Sequence, residues 1–267
     1  LMLASLLAYA LRFARWTWLL RRAGYRVGDG RGFVAYLSGL AFTATPGKVG
    51  ELLRIRYFAP RGVPPERVVA AFVYERAFDL LAVLLLASLA VQRPGLWLAA
   101  LGFVAIFLVP VLIFAARPKA MTRTAAWLRR HGARTPARGL RILGRGLALC
   151  RHWFTAADAA LALLLGLLAW GVTALSFVWL LHRLGVTELN FASALSAYPL
   201  AMLAGAASML PGGLGSTEAA IALLLGWHGV PVATATLAAV GIRLATLWFA
   251  IACGLLAVSW LEWRGPR

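Results

Sequence analysis

Long apolar stretches alternate with short polar breaks along this chain. Residues 1–20, 67–91, 96–116, 157–181 and 232–261 are mostly Leu, Ala, Val and aromatic. Each is close to the ~20 residues that cross a bilayer core as a helix. None alternates with period two, and lipid admits only helices or closed barrels, so the pattern selects helices. Two further pieces are too short to cross: residues 33–45, which end at Pro46, and residues 49–59, which contain Arg54 and Arg56. A re-entrant hairpin fits both lengths. A second hairpin is expected from 191–210 and 217–227, folded at Pro211-Gly212-Gly213-Leu214-Gly215. The expected fold is therefore all-α: a polytopic helical membrane protein of about five full spans plus two re-entrant Pro-Gly hairpins.

The two turns open matching sequence. Pro46-Gly47-Lys48-Val49-Gly50-Glu51 is answered by Pro211-Gly212-Gly213-Leu214-Gly215-Ser216-Thr217-Glu218, with Ser216-Thr217 as an insertion. Gly-Val-Pro follows each glutamate at one spacing (Gly62 to Pro64, Gly229 to Pro231), and an arginine follows at another, Arg76 or Arg243. From Glu51 onward the offset between copies stays at 167 residues. Ordered matches at fixed spacing indicate an internal duplication. Residues 1–267 then form a single membrane domain, with copy one at 33–92 and copy two at 191–261. Three full spans separate the hairpins, so the copies should be inverted, with turn tips meeting near the midplane as in many secondary transporters.

Of 267 residues, 62% are hydrophobic and 13% charged, and the net charge is +18. Soluble domains are about half apolar and about a quarter charged. The position of the basic residues says more than their number. Ten lie from Arg117 to Arg151 with no acid among them; others cluster at 21–31 and 54–67 and at the C-terminus through Arg267. Arg93, in an expected Arg93-Pro94-Gly95 turn, and Arg183 fall on the opposite side. That asymmetry places the basic loops and the C-terminus in the cytoplasm and the protein in the plasma (inner) membrane. The segment 117–156 is basic and amphipathic, suited to anionic inner-leaflet lipids. It lacks interleaved stacking motifs, so no nucleic acid is expected. No basic region precedes the apolar 1–11, so a cleavable signal is not expected, and an earlier segment is.

Ionisable groups inside a membrane are costly unless paired, and they mark function by default. The expected binding residues are Lys48, Glu51, Arg54, Glu75, Arg76, Asp79, Glu218 and Arg243. The turn residues beside them are Pro46, Gly47, Gly50, Pro211, Gly212, Gly213 and Gly215. Glu51 with Arg54, and Arg76 with Asp79, are three apart and share a helix face. An excess of arginine suits phosphate, which guanidinium binds through several donors. Arg12 and Arg15 stand near Trp16 and Trp18 and read as interface anchors. His131, His152, His182 and His228 are scattered, the cysteines Cys150 and Cys253 have no metal spacing, and no G-x-S-x-G elbow is present. No catalytic residue, metal or cofactor is expected.

The motifs T-P-G-K-V-G-E-L-L-R (45–54), Y-E-R-A-F-D (74–79) and L-P-G-G-L-G-S-T-E (210–218) resemble the lysylphosphatidylglycerol synthase/flippase transmembrane family, also called flippase-like membrane proteins. The resemblance covers most of the chain. It implies an inner-membrane protein that moves or binds polar lipids, with Glu51, Arg54, Glu75, Arg76, Asp79 and Glu218 as the residues carried over. It also implies a further N-terminal helix, and in some members a fused soluble aminoacyltransferase domain. Residues 1–267 show no such domain, so synthesis of an aminoacyl lipid is not expected.

The function expected is a membrane lipid transporter, a flippase rather than an enzyme. It would move a polar or phosphate-bearing headgroup of an anionic or zwitterionic lipid through a charged groove between the hairpins. Two alternatives stand beside it: an enzyme modifying a phospholipid or polyprenyl-phosphate, and a non-catalytic membrane partner of a lipid-modifying enzyme. A homo-oligomer is compatible with the sequence.

Overall fold

The computed structural model describes residues 1–90, 94–116 and 118–265. The turn expected at Arg93 and the charges of Arg117 and Arg267 lie outside them. Every regular element among the described residues is helical. In order these are α1 (Met2–Arg22), α2 (Gly30–Ser38), α3 (Arg54–Phe58), α4 (Pro65–Ala87), α5 (Pro94–Ala116), α6 (Pro118–Arg130), α7 (Arg134–Cys150), α8 (Ala156–Arg183), α9 (Phe191–Ala207), α10 (Ser216–Gly226), α11 (Val232–Arg243) and α12 (Phe249–Arg264). Short 3₁₀ turns cover Gly39–Phe42 and Pro46–Leu53, and a π turn, Leu244–Trp248, joins α11 to α12. Among the described residues two helices are both long and apolar enough to cross a membrane, Ala156–Arg183 and the continuous Val232–Arg264. The other expected spans form as helices, but α1 carries Arg12, Arg15, Arg21 and Arg22, and α4 carries Glu75, Arg76 and Asp79.

Local chemistry explains the helix starts. Asp29 caps α2 by accepting from Gly32 N at 2.8 Å. Pro65 opens α4, where its missing N–H costs nothing. Thr155 caps α8, accepting from Asp158 N at 3.1 Å. Asp158 in turn holds Trp18 Nε1 at 3.0 Å and Arg22 at 3.2 Å, which ties α8 to α1.

The chain doubles back at each Pro-Gly turn: α2 packs on α3, and α9 packs on α10. Two apolar cores result. One gathers Trp16, Leu19, Tyr36, Phe58 and Tyr74 around α1, α2 and the first half of α4. The other gathers Ala82, Phe177, Tyr198, Ile221 and Ile242 around the second half of α4 with α8, α9, α10 and α11. Glu75, Arg76 and Asp79 fall where α4 passes from one core to the other.

Close backbone approach fixes the first hairpin. A β-carbon at Gly254 would stand 2.0 Å from Ala41 N, so α12 and the hairpin can touch only through a glycine. A β-carbon at Gly39 would stand 2.5 Å from Arg54 Nε, so the guanidinium crosses where a side chain is missing.

Candidate functional site

The two Pro-Gly turns meet. A β-carbon at Gly212 would lie 3.3 Å from Ala44 Cβ, and the turn at Pro211–Gly213 packs on the one at Pro46–Leu53. Their backbones match closely. Gly47 has φ 61° and ψ 10°, and Gly212 has φ 62° and ψ 10°. The next residue is also left-handed in both, Lys48 at φ 57° and Gly213 at φ 64°. For glycine that conformation is free; for lysine it costs about 1–2 kcal/mol.

Beside the meeting point lies a cavity of about 380 Å³. Arg12, Lys48, Glu51, Arg76, Asp79 and Arg243 face it, and so do apolar side chains that include Leu80, Val83, Phe103, Trp170 and Leu203. Its residues come from both hairpins and from α1, α4, α5, α8, α9, α11 and α12.

Behind and along its wall runs a network of ion pairs. Arg15 Nη2 is 2.6 Å from Asp79 Oδ1 and 3.7 Å from Glu75 Oε1. Arg54 reaches Glu51 at 3.1 Å and Glu75 at 3.4 Å. Arg76 joins Asp79 at 3.0 Å and Glu51 at 3.9 Å. At the cavity too, Arg243 Nε donates to Glu218 Oε1 at 2.7 Å, and its Nη2 donates to Gly212 O in the turn. Thr43 adds a hydroxyl to Glu51 Oε1 at 2.9 Å. Buried pairs of this kind are weak sources of net stability, but removing one partner strands the other charge.

The expected residues divide into two groups. Lys48, Glu51, Arg76, Asp79 and Arg243 line the cavity, as do the turn glycines Gly47, Gly212 and Gly213. Arg54 and Glu75 stand one layer back. Arg54 is 1% exposed, lies over the Tyr36 ring at 3.9 Å and donates from Nε to Tyr36 O at 2.9 Å. Glu218 reaches the cavity through Arg243. Gly50 shapes the first turn instead: its N–H donates to Thr45 Oγ1 at 2.7 Å, and a β-carbon there would sit 2.5 Å from Phe42 Cβ.

Three residues need correction. Arg15 is not an interface anchor; it is buried, paired to Asp79 and Glu75, and passes Gly166 on α8. Trp16, expected at the interface, is wholly buried. Arg12 lies over the Trp170 ring at 4.9 Å and faces the cavity. The signal was present: arginines three apart inside an apolar stretch share one helix face, and an anchor would sit at the end of the helix.

Among the described residues the elements are all helical, and their apolar helices and charged cavity fit the class of helical membrane proteins. The family described as Lysylphosphatidylglycerol synthase TM region matches residues 1–254, and this chain belongs to that family. No curated protein and no solved structure matches the chain.

Proposed function

We propose that this protein moves a lipid between leaflets by admitting its headgroup to the cavity between the two turns while the tails stay in the bilayer. The observation that carries this reading is the cavity itself: its lining mixes ionic with apolar side chains and takes in both Pro-Gly turns, from two distant parts of the chain. A headgroup needs the first kind of side chain and an acyl chain the second. The matched turn conformations, and the repeated Glu–Arg pairing of Glu51 with Arg76 and Glu218 with Arg243, support an inverted repeat of 33–92 and 191–261. On this reading α1, α4, α5, α8 and the α11–α12 helix are the full spans, and the hairpins are re-entrant. Alternating access follows from one repeat rocking against the other. The basic helices α6 and α7 rest on anionic lipid at the cytoplasmic face of the inner membrane.

The experiment is reconstitution in vesicles with tail-labelled fluorescent phospholipids, followed by quenching of the outer leaflet. Wild-type protein is expected to expose inner-leaflet label. Arg76→Ala and Glu218→Ala are each expected to slow that exposure about tenfold, the loss of roughly 1.4 kcal/mol of barrier lowering. Unchanged rates in both variants would remove the site assignment. Mass spectrometry of the recovered lipid decides against transport if the headgroup is chemically altered and has not moved.

A further inference from the structure

Arg15, Arg54, Arg76 and Arg243 close on Glu51, Glu75, Asp79 and Glu218, cation for anion. Two cations facing the cavity stand outside that balanced set, Arg12 and Lys48. We propose that Arg12 and Lys48 seat a dianionic phosphate monoester at the end of a lipid, in preference to a phosphodiester or zwitterionic headgroup. The proposal rests on the translocation reading and adds the chemical class of its substrate.

Charge is the first argument. Among the described residues neither Arg12 nor Lys48 makes an ion pair, and Arg12 Nε is buried without a hydrogen-bond partner. A dianion neutralises both at once; a phosphodiester neutralises one. A headgroup carrying its own ammonium would need a free carboxylate. The two that face the cavity are engaged: Glu51 by Thr43, Arg54 and Arg76, and Asp79 by Arg15 and Arg76.

The backbone is the second. Lys48 holds a left-handed conformation, φ 57°, at the place where the other turn has Gly213 at φ 64°. Glycine satisfies the turn without strain, so the lysine is there for its ammonium, and strain of this sort collects at binding sites. The third argument is the apolar part of the lining, where Leu80, Val83, Phe103 and Leu203 suit a hydrocarbon chain and not a soluble phosphate.

The test titrates purified protein in detergent with dioctanoyl phosphatidic acid, dioctanoyl phosphatidylglycerol, dioctanoyl phosphatidylcholine and glycerol 3-phosphate. Tryptophan fluorescence, with Trp170 under Arg12, reads binding. The pH is held at about 8, above the second phosphate ionisation near 6. Phosphatidic acid is expected to bind about tenfold more tightly than the other three. Arg12→Gln and Lys48→Gln are each expected to erase that preference. Lys48→Gly is expected to erase it too while melting no lower than wild type, which separates lost binding from lost fold. Equal or tighter binding of the diester or the zwitterion, or a preference that survives in both Arg12→Gln and Lys48→Gly, overturns the proposal. Glycerol 3-phosphate binding as tightly as phosphatidic acid overturns its lipid part. Arg76-dependent lipid movement without this preference fails the proposal alone; the preference without any lipid movement fails the translocation reading alone.

Discussion

Arg243 places its Nε 2.7 Å from Glu218 Oε1, and Arg76 stands 3.9 Å from Glu51 at the same interval along the chain. Each pair links the arm that leaves a Pro-Gly turn to the long helix that follows it. Each glutamate is thereby held beside a left-handed glycine turn, Gly47 or Gly212.

Breaking one side of such a pair should cost more than removing both. Glu218→Gln leaves Arg243, 3% exposed, to Gly212 O and Met202 Sδ among the described residues. We expect a loss of about 3 kcal/mol in stability, part of which returns in Glu218→Gln with Arg243→Met. Thermal unfolding in detergent measures both; a double variant no more stable than the single one would show that the pair is not coupled.

Arg15 and Arg22 lie on the same helix and should respond differently. Arg15→Met takes the 2.6 Å partner from buried Asp79 and leaves it to Arg76, and leaves Glu75 to Arg54, with an expected cost of about 3 kcal/mol. The Arg22 side chain is 51% exposed in its pair with Asp158, and Arg22→Met should cost less than about 1 kcal/mol. Comparable losses in the two variants would contradict the burial described for Arg15.

Glycines should divide by what stands beside them. Gly254→Ala drives a methyl against the Ala41 backbone and is expected to cost about 1–3 kcal/mol and to slow lipid movement by displacing the first hairpin. Gly171, inside α8, has nothing within 4 Å of a built β-carbon. Gly171→Ala should therefore stabilise by about 0.5–1 kcal/mol through helix propensity. Melting temperatures of the two variants moving in the same direction would refute this.

Acid should loosen the start of α2. Asp29, in the loop before that helix, has its carboxyl lowered below the usual aspartate range by the hydrogen bond from Arg61, with Gly32 N–H as a further donor. A lowered carboxyl pKa stabilises the fold above the unfolded value, about 3.9, and that stabilisation fades as pH falls through the folded value. Asp29→Asn should flatten this acid limb of the melting curve; an unchanged limb would assign it to other carboxylates.

The helical class, both turns and most of the cavity-facing ions were legible in the sequence. Proline and glycine leave local marks, and a charge inside an apolar stretch is visible without coordinates. Arg12 and Arg15 were misread because tryptophan beside arginine has two meanings, an interface anchor or a buried stack. Only the neighbours, Trp170 over Arg12 and Asp79 beside Arg15, separate them. Gly254 gave no signal, since a glycine that admits a distant backbone looks like any other in an apolar helix.

The sequence by itself determined which segments are helices, where the chain reverses and which charges must find partners. Those follow from local backbone preference and from the cost of an unpaired ion in an apolar setting. Tertiary structure alone decided the pairing. It joined Arg15 to Asp79, stacked Arg54 on Tyr36 and left Arg12 and Lys48 facing the cavity. Which ions meet depends on how helices far apart in the chain approach one another, and side-chain packing over the whole molecule sets that approach.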